Sequence, residues 1–142
     1  LDPYAKILTM GDFNDDPSDR SIKKYLKAKG KKRKTGNQEL YNPMADLNKK
    51  GLGSLAYRDG WNLFDQILLT KPFLNKNGEG YFYYKAGIFN ANYLITARGQ
   101  YRGYPFRSYD YVGYTGGYND HFPVFVYLVR DANPNSVPVN KN

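Results

Sequence analysis

The sequence predicts an α/β fold of the mixed, α+β kind, and three stretches carry that expectation. Ala5–Met10 is a near-continuous apolar run containing Ile7, Leu8 and Met10, which suits a central strand covered on both faces. Phe122–Val129 is a second such run, apolar on both faces. Trp61–Thr70 reads as a strand with Trp61, Leu63, Asp65, Ile67 and Leu69 on one face. The 142 residues suffice for one domain of ordinary size, assigned to 1–130, with 131–142 as a flexible tail.

Leu1–Tyr4 leads into the first strand, which breaks at Gly11. Asp12 and Asn14 follow and point the same way across extended backbone, with Phe13 between them as an anchor into the core. Asp16-Pro17 reads as a helix start, with Asp16 as N-cap, Pro17 at the first helical position and Asp19 in the first turn. Ile22, Tyr25 and Leu26 form an apolar stripe at helical spacing, and Gly30 ends the helix. Lys27–Lys34 is a basic run, read first as a solvated loop and second as a phosphate-contacting one. Leu40–Met44 leads into a short helical piece through Leu47, and Lys49–Gly53 is a loop. Pro72–Gly80 is a loop, Tyr81–Tyr84 a short aromatic strand, and Gly87–Thr96 a strand followed by a helical turn. Arg98–Gly117 interleaves Arg98, Arg102 and Arg107 with Tyr101, Tyr104, Phe106, Tyr109, Tyr111 and Tyr114. Two readings stand for it: a surface for phosphates and bases, or Tyr-rich loops packed on a sheet, with packing preferred.

Composition narrows the chemistry. Lys and Arg number 21 against 13 Asp and Glu, a net charge of +8, which fits a polyanionic partner as well as it fits solubility alone. The absence of cysteine excludes disulfides, thiolate metal sites and a Cys nucleophile. With a single histidine, a zinc centre is a poor fit. Gly-x-Ser-x-Gly is absent, so a Ser-His-Asp nucleophile elbow is a poor fit too. No stretch is long and apolar enough to span a membrane as a helix. The chain starts at Leu1 and enters a strand almost at once, which suggests a piece of something longer, with any export signal outside it.

Three polar groups sit on the strands: Asp12 with Asn14, Asp65, and Asp120 with His121. Asp65 lies on an otherwise apolar face, where an unpaired carboxylate costs on the order of several kcal/mol. It needs a partner, and His121 is the only imidazole. An Asp–His pair fixes the ring tautomer and stabilises the cation, which can hold a phosphate oxygen. Asp12 can orient or deprotonate water, Asn14 can hold that water or the phosphate, and Asp120 is a hard ligand for a divalent ion. Together these describe phosphoester hydrolysis by charge stabilisation.

Gly11-Asp12-Phe13-Asn14, then Phe64-Asp65-Gln66-Ile67, then Asn119-Asp120-His121-Phe122-Pro123-Val124 resemble the C-terminal half of the endonuclease/exonuclease/phosphatase, or deoxyribonuclease-I-like, family. Its members include abasic-site endonucleases, sphingomyelinases and inositol-phosphate phosphatases. The resemblance runs from about Ala5 to Leu128, and the wording is most like Bacteroidetes-type members. It implies half of a four-layer α/β sandwich: mainly one mixed or antiparallel sheet with helices on one face. It implies Mg²⁺ or Mn²⁺ as cofactor. By position, Asp12 activates water, Asn14 supports phosphate and nucleophile, Asp65 pairs with His121, His121 meets the scissile phosphate, and Asp120 sits by the metal. Asn42 and Trp61 complete the candidate set as substrate-binding residues.

Two departures stand out. Asn119 replaces the usual Ser, a mild change between small polar turn residues. The family's N-terminal half, which supplies a metal-binding Glu, an Asn and another His or Tyr, has no counterpart here. The piece is therefore expected to be inactive alone, with an apolar surface that the missing half or another chain covers. The function expected is that of a metal-dependent phosphodiesterase or nuclease. The alternatives are a phosphomonoesterase or phospholipid hydrolase of the same fold, or a non-catalytic basic nucleic-acid-binding module.

Overall fold

The computed structural model describes residues 2, 4–77 and 80–131, so the expected tail beyond Asp131 lies outside the described residues. Eight strands run in the order β1 (Leu8–Asp12), β2 (Ala28–Lys29), β3 (Leu40–Tyr41), β4 (Leu55–Tyr57), β5 (Gly60–Asn62), β6 (Asp65–Thr70), β7 (Phe82–Ile88) and β8 (Val124–Val129). Helical structure is sparse: α1 (Met44–Lys49), one π-helical turn at Ser21–Tyr25, and three 3-10 turns at Lys32–Lys34, Lys71–Leu74 and Asn92–Leu94. The fold is thus the mixed, strand-rich α/β type that the sequence predicts.

The strands form several sheets. A mixed four-stranded sheet has the order β1-β6-β3-β2, antiparallel except for β2 and β3. β4 pairs with β5, and β7 with β8, each antiparallel. The centre of the molecule is β6, buried from Gln66 through Leu69 on both faces. On one face Leu68 packs with Ile22, Ala28, Phe13 and Leu40. On the other, Ile67 joins Met44 and Leu63, and Leu69 joins Tyr41, Phe73 and Tyr83. Ala86 of β7 and Val126 of β8 pack against both of these clusters. The β7–β8 pair and α1 therefore cover one face of the four-stranded sheet, and the Ser21–Tyr25 turn covers the other. Among the described residues, no helix is long and apolar enough to cross a membrane.

Three sequence expectations shift. The run Ala5–Met10 is not a covered central strand: β1 lies at the sheet edge, with Ile7 44% and Met10 69% exposed. The helix expected from Asp16-Pro17 shrinks to the single turn Ser21–Tyr25, with Tyr25 and Leu26 exposed. Asp16 does not cap it, because its carboxylate is taken by the Leu63 amide at 2.6 Å and by Asn48 Nδ2 at 3.1 Å. Trp61–Thr70 is two strands, β5 and β6, not one. Between them the Phe64 carbonyl accepts from Phe13 N–H at 2.9 Å, which hands the chain from the β4–β5 hairpin to the main sheet.

Candidate active site

The end of the β1–β6 pair forms the floor of the site. In the antiparallel register Asp12 stands directly opposite Asp65. Directly opposite side chains share a face, and like charges there repel. Leu8 opposite Leu69 and Met10 opposite Ile67 continue the same face towards the β7–β8 layer. That layer delivers His121, three residues before the start of β8 at Val124. His121 Nδ1–H donates to Asp65 Oδ2 at 2.7 Å, with both side chains 22% exposed. The pair that burial demands of Asp65 is therefore present. Asp65 fixes Nδ1 as the donor, which turns Nε2 away from the carboxylate.

Two further contacts hold this pair, and both come from Ser54. Its hydroxyl accepts from Asp65 N–H at 3.4 Å, and its carbonyl accepts from Phe122 N–H at 2.7 Å. Ser54 is fully buried and thereby clamps the backbones of both partners. Its neighbour Gly53 must stay small, since a Cβ there would stand 2.5 Å from the Asn62 carbonyl oxygen. Asn119 Oδ1 accepts from His121 N–H at 3.2 Å, shaping the turn into β8.

The Asp12 loop is anchored from behind. Asp12 Oδ1 accepts from Asn14 N–H at 2.8 Å, and Asn14 takes a left-handed backbone, φ 51°. Asn tolerates that region better than most residues. Gln66, fully buried beside Asp65, donates from Nε2 to the Asp15 carbonyl at 2.6 Å. Its Oε1 accepts from Asn42 Nδ2 at 2.6 Å, and Asn42 Oδ1 accepts from Met44 N–H at 3.0 Å. Asn42 is thus 1% exposed and its carboxamide is spent inside this relay. Ser54, Asp16 and Gln66 are the site-building residues that sequence reasoning missed. A Gln with apolar Phe64 and Leu68 two residues to either side was the one visible signal for such a relay.

Trp61 stacks on Phe122 at 6.1 Å and meets Tyr104 edge-on at 5.5 Å. It walls a shallow cavity of about 390 Å³ with Leu47, Leu52, Ile88 and Phe122, the residue that follows His121. Asp12, Asn14 and Asp120 are exposed. The basic run lies elsewhere: Lys29 is in register with Tyr41, and Tyr41 with Leu69, four residues along β6 from Asp65. At the rise of a strand that is roughly 13 Å along β6, and Lys29 lies two strands further across the sheet, roughly 10 Å to the side. There Lys29 pairs with Glu39 at 3.2 Å and Lys32 lies over the Tyr83 ring at 4.5 Å.

A hard divalent cation takes oxygen ligands, and Mg²⁺ commonly takes one or two carboxylates with water and substrate oxygens completing the shell. Asp120 has the right donor chemistry. Among the described residues no three Asp, Glu, His or Cys side chains converge into a metal-binding group.

Neither the curated proteins nor the solved structures give a match to the chain. The model of the endonuclease/exonuclease/phosphatase family matches residues 1–130, which include every strand described above. The family's enzymes hydrolyse phosphoesters and generally depend on a divalent metal. On that match, spanning the Asp12 loop, Asp65 and His121, the chain belongs to the endonuclease/exonuclease/phosphatase family.

Proposed function

We propose that this chain carries the phosphate-binding half of a phosphodiesterase or nuclease that works with Mg²⁺ or Mn²⁺. The observation that carries the reading is the His121–Asp65 pair at 2.7 Å with Asp12 directly across the strand pair. A phosphoryl transition state needs positive charge on its oxygens and an oriented attacking water. Because Nδ1–H is held by Asp65, it is the imidazolium form of His121, which the Asp65 carboxylate stabilises, that donates from Nε2 to a phosphate oxygen. Asp12 has given Oδ1 to the Asn14 amide and keeps Oδ2 to accept from water. The Asn14 carboxamide, two residues on and exposed, is available for the phosphate or the same water. A cation held at Asp120 would neutralise charge on the phosphate.

Met10, 69% exposed on the same face of β1 as Asp12, supports a second layer that covers this side and completes the site. The test is hydrolysis of a generic phosphodiester and of plasmid DNA, with Mg²⁺ and with EDTA. It compares the 142-residue chain with the longer protein that the proposal requires. Turnover in the longer protein alone, lost in EDTA, supports the reading. Metal-dependent turnover by the chain alone would overturn the need for a second layer. Turnover of phosphomonoesters or phospholipids in place of diesters would move the substrate class within the family.

A further inference from the structure

The connection from β7 to β8, residues 89–123, holds an aromatic surface that the hydrolytic site does not use. The sequence reading preferred tyrosines packed on a sheet; Tyr104 does pack against Trp61 of β5, but most of the others do not. Tyr93, Tyr101, Tyr109, Tyr111, Tyr114 and Tyr118 are all exposed, Tyr111 completely so. Contiguous exposed aromatic surface of this kind marks an interaction site.

The surface is built, not slack. Two loops close in succession. The first is tied by Phe106 N–H to Leu94 O at 2.8 Å and by Thr96 N–H to Tyr104 O at 2.8 Å. The second is tied by Tyr118 N–H to Phe106 O at 2.9 Å and by Thr115 N–H to Ser108 O at 2.9 Å. Thr115 Oγ1 also donates to the Arg107 carbonyl. Gly117 lies so close to the backbone of Phe106 and Arg107 that no side chain fits there. The rings are set in pairs, Tyr109 with Tyr114 at 5.3 Å and Tyr93 with Tyr118 at 5.7 Å.

The charge is one-sided. Arg98, Arg102 and Arg107 carry no ion pair among the described residues. The single acid of the two loops, Asp110, is spent on the amides of Val112 and Gly113 at 2.8 and 3.1 Å. The first loop reaches the proposed hydrolytic site through a chain of rings. Tyr101 neighbours Tyr104 at 6.0 Å, Tyr104 meets Trp61, and Trp61 stacks on Phe122 beside His121.

We propose that these two loops bind single-stranded nucleic acid, with unpaired bases stacked on the exposed tyrosines and phosphates met by Arg98, Arg102 and Arg107. Stacking on aromatic rings is tolerant of sequence, and free bases present a face that duplex bases hide. A lipid surface fits less well. The tip exposes one aliphatic side chain, Val112, among phenols, and no Trp, Leu or Phe. Binding needs neither metal nor hydrolysis, so it stands or falls apart from the proposed reaction.

The experiment is fluorescence anisotropy of a dye-labelled oligodeoxythymidylate with the intact chain in EDTA. The expected result is saturable binding, weaker for a duplex of the same length. Tyr111→Ala and Tyr114→Ala each weaken it by at least about fivefold, and Tyr114→Phe keeps it, since the ring suffices. Arg102→Ala with Arg107→Ala flattens the salt dependence by about 0.7 in logarithmic slope per charge removed. Tyr111 is fully exposed, so its truncation leaves the melting curve in place. No saturable binding, or binding that survives both alanine variants, overturns the proposal. So does binding to phosphatidylserine vesicles in the absence of oligonucleotide binding, which would make the surface a membrane contact.

Discussion

Removing one oxygen from Asp65 separates two opposing interactions at the site. Asp65→Asn replaces a carboxylate that accepts from His121 Nδ1–H at 2.7 Å, with both side chains largely buried. A hydrogen bond to a charged partner contributes about 1.5–3 kcal/mol. The same substitution relieves the repulsion from Asp12 directly across the strand pair. Like charges in that position cost about 0.2–1 kcal/mol, and the exposure of Asp12 places the value at the low end. The net loss of stability is therefore about 1–2.5 kcal/mol. Urea unfolding at neutral pH measures it, and two double-mutant cycles take it apart. The cycle of Asp65→Asn with His121→Ala should show favourable coupling above about 1 kcal/mol. The cycle of Asp65→Asn with Asp12→Asn should show coupling of opposite sign, below about 1 kcal/mol. Zero coupling in the first cycle would refute the pairing that positions His121. Favourable coupling in the second would mean that Asp12 and Asp65 share a proton or a cation.

Other predictions address the scaffold. Gln66→Leu strands the Asp15 carbonyl and the Asn42 amide inside the protein, so urea unfolding should report a loss of about 2–4 kcal/mol. Gly53→Ala forces a methyl against the Asn62 carbonyl and should cost about 1–3 kcal/mol; an unchanged melting temperature would show that the Ser54 clamp yields freely. Burial pushes the Tyr41 and Tyr83 phenols up, so their neutral forms are favoured in the fold. The stability they contribute is whole below about pH 10 and falls as pH rises further. The last step of phenolate absorbance should therefore coincide with loss of circular dichroism; ionisation of every tyrosine in a folded protein would contradict this.

The chemistry-bearing stretches were legible because chemistry leaves local marks. A lone carboxylate on the apolar odd face of Trp61–Thr70 demanded a partner, and one imidazole existed to supply it. The polar pair after Gly11 and the Asn-Asp-His turn before an apolar run marked strand ends in the same way. What stayed hidden depends on which layers meet. Apolar runs show that a strand can be covered, not that it is, so β1 read as central though it is an edge. Asp16 carries a helix-capping signature, yet the distant amide of Leu63 claims its carboxylate. Asn42 read as a polar residue available for substrate, and only the fold reveals Gln66 at its side. The tyrosines of Arg98–Gly117 have the same composition whether packed or exposed, and in the closed loops Tyr101, Tyr109, Tyr111 and Tyr114 are exposed while Tyr104 packs on Trp61.

The most direct measurement is turnover of a phosphodiester by the Asp12→Ala variant of the longer protein in Mg²⁺, with melting temperature recorded on the same samples. Asp12 is exposed and makes one local hydrogen bond, to the Asn14 amide. Turnover should fall by about 10²–10⁴-fold, the contribution of a positioned acid–base group, while the melting temperature stays nearly unchanged. Retained turnover, or a loss matched by collapse of the melting temperature, would contradict a catalytic Asp12 and with it the phosphoester-hydrolase site.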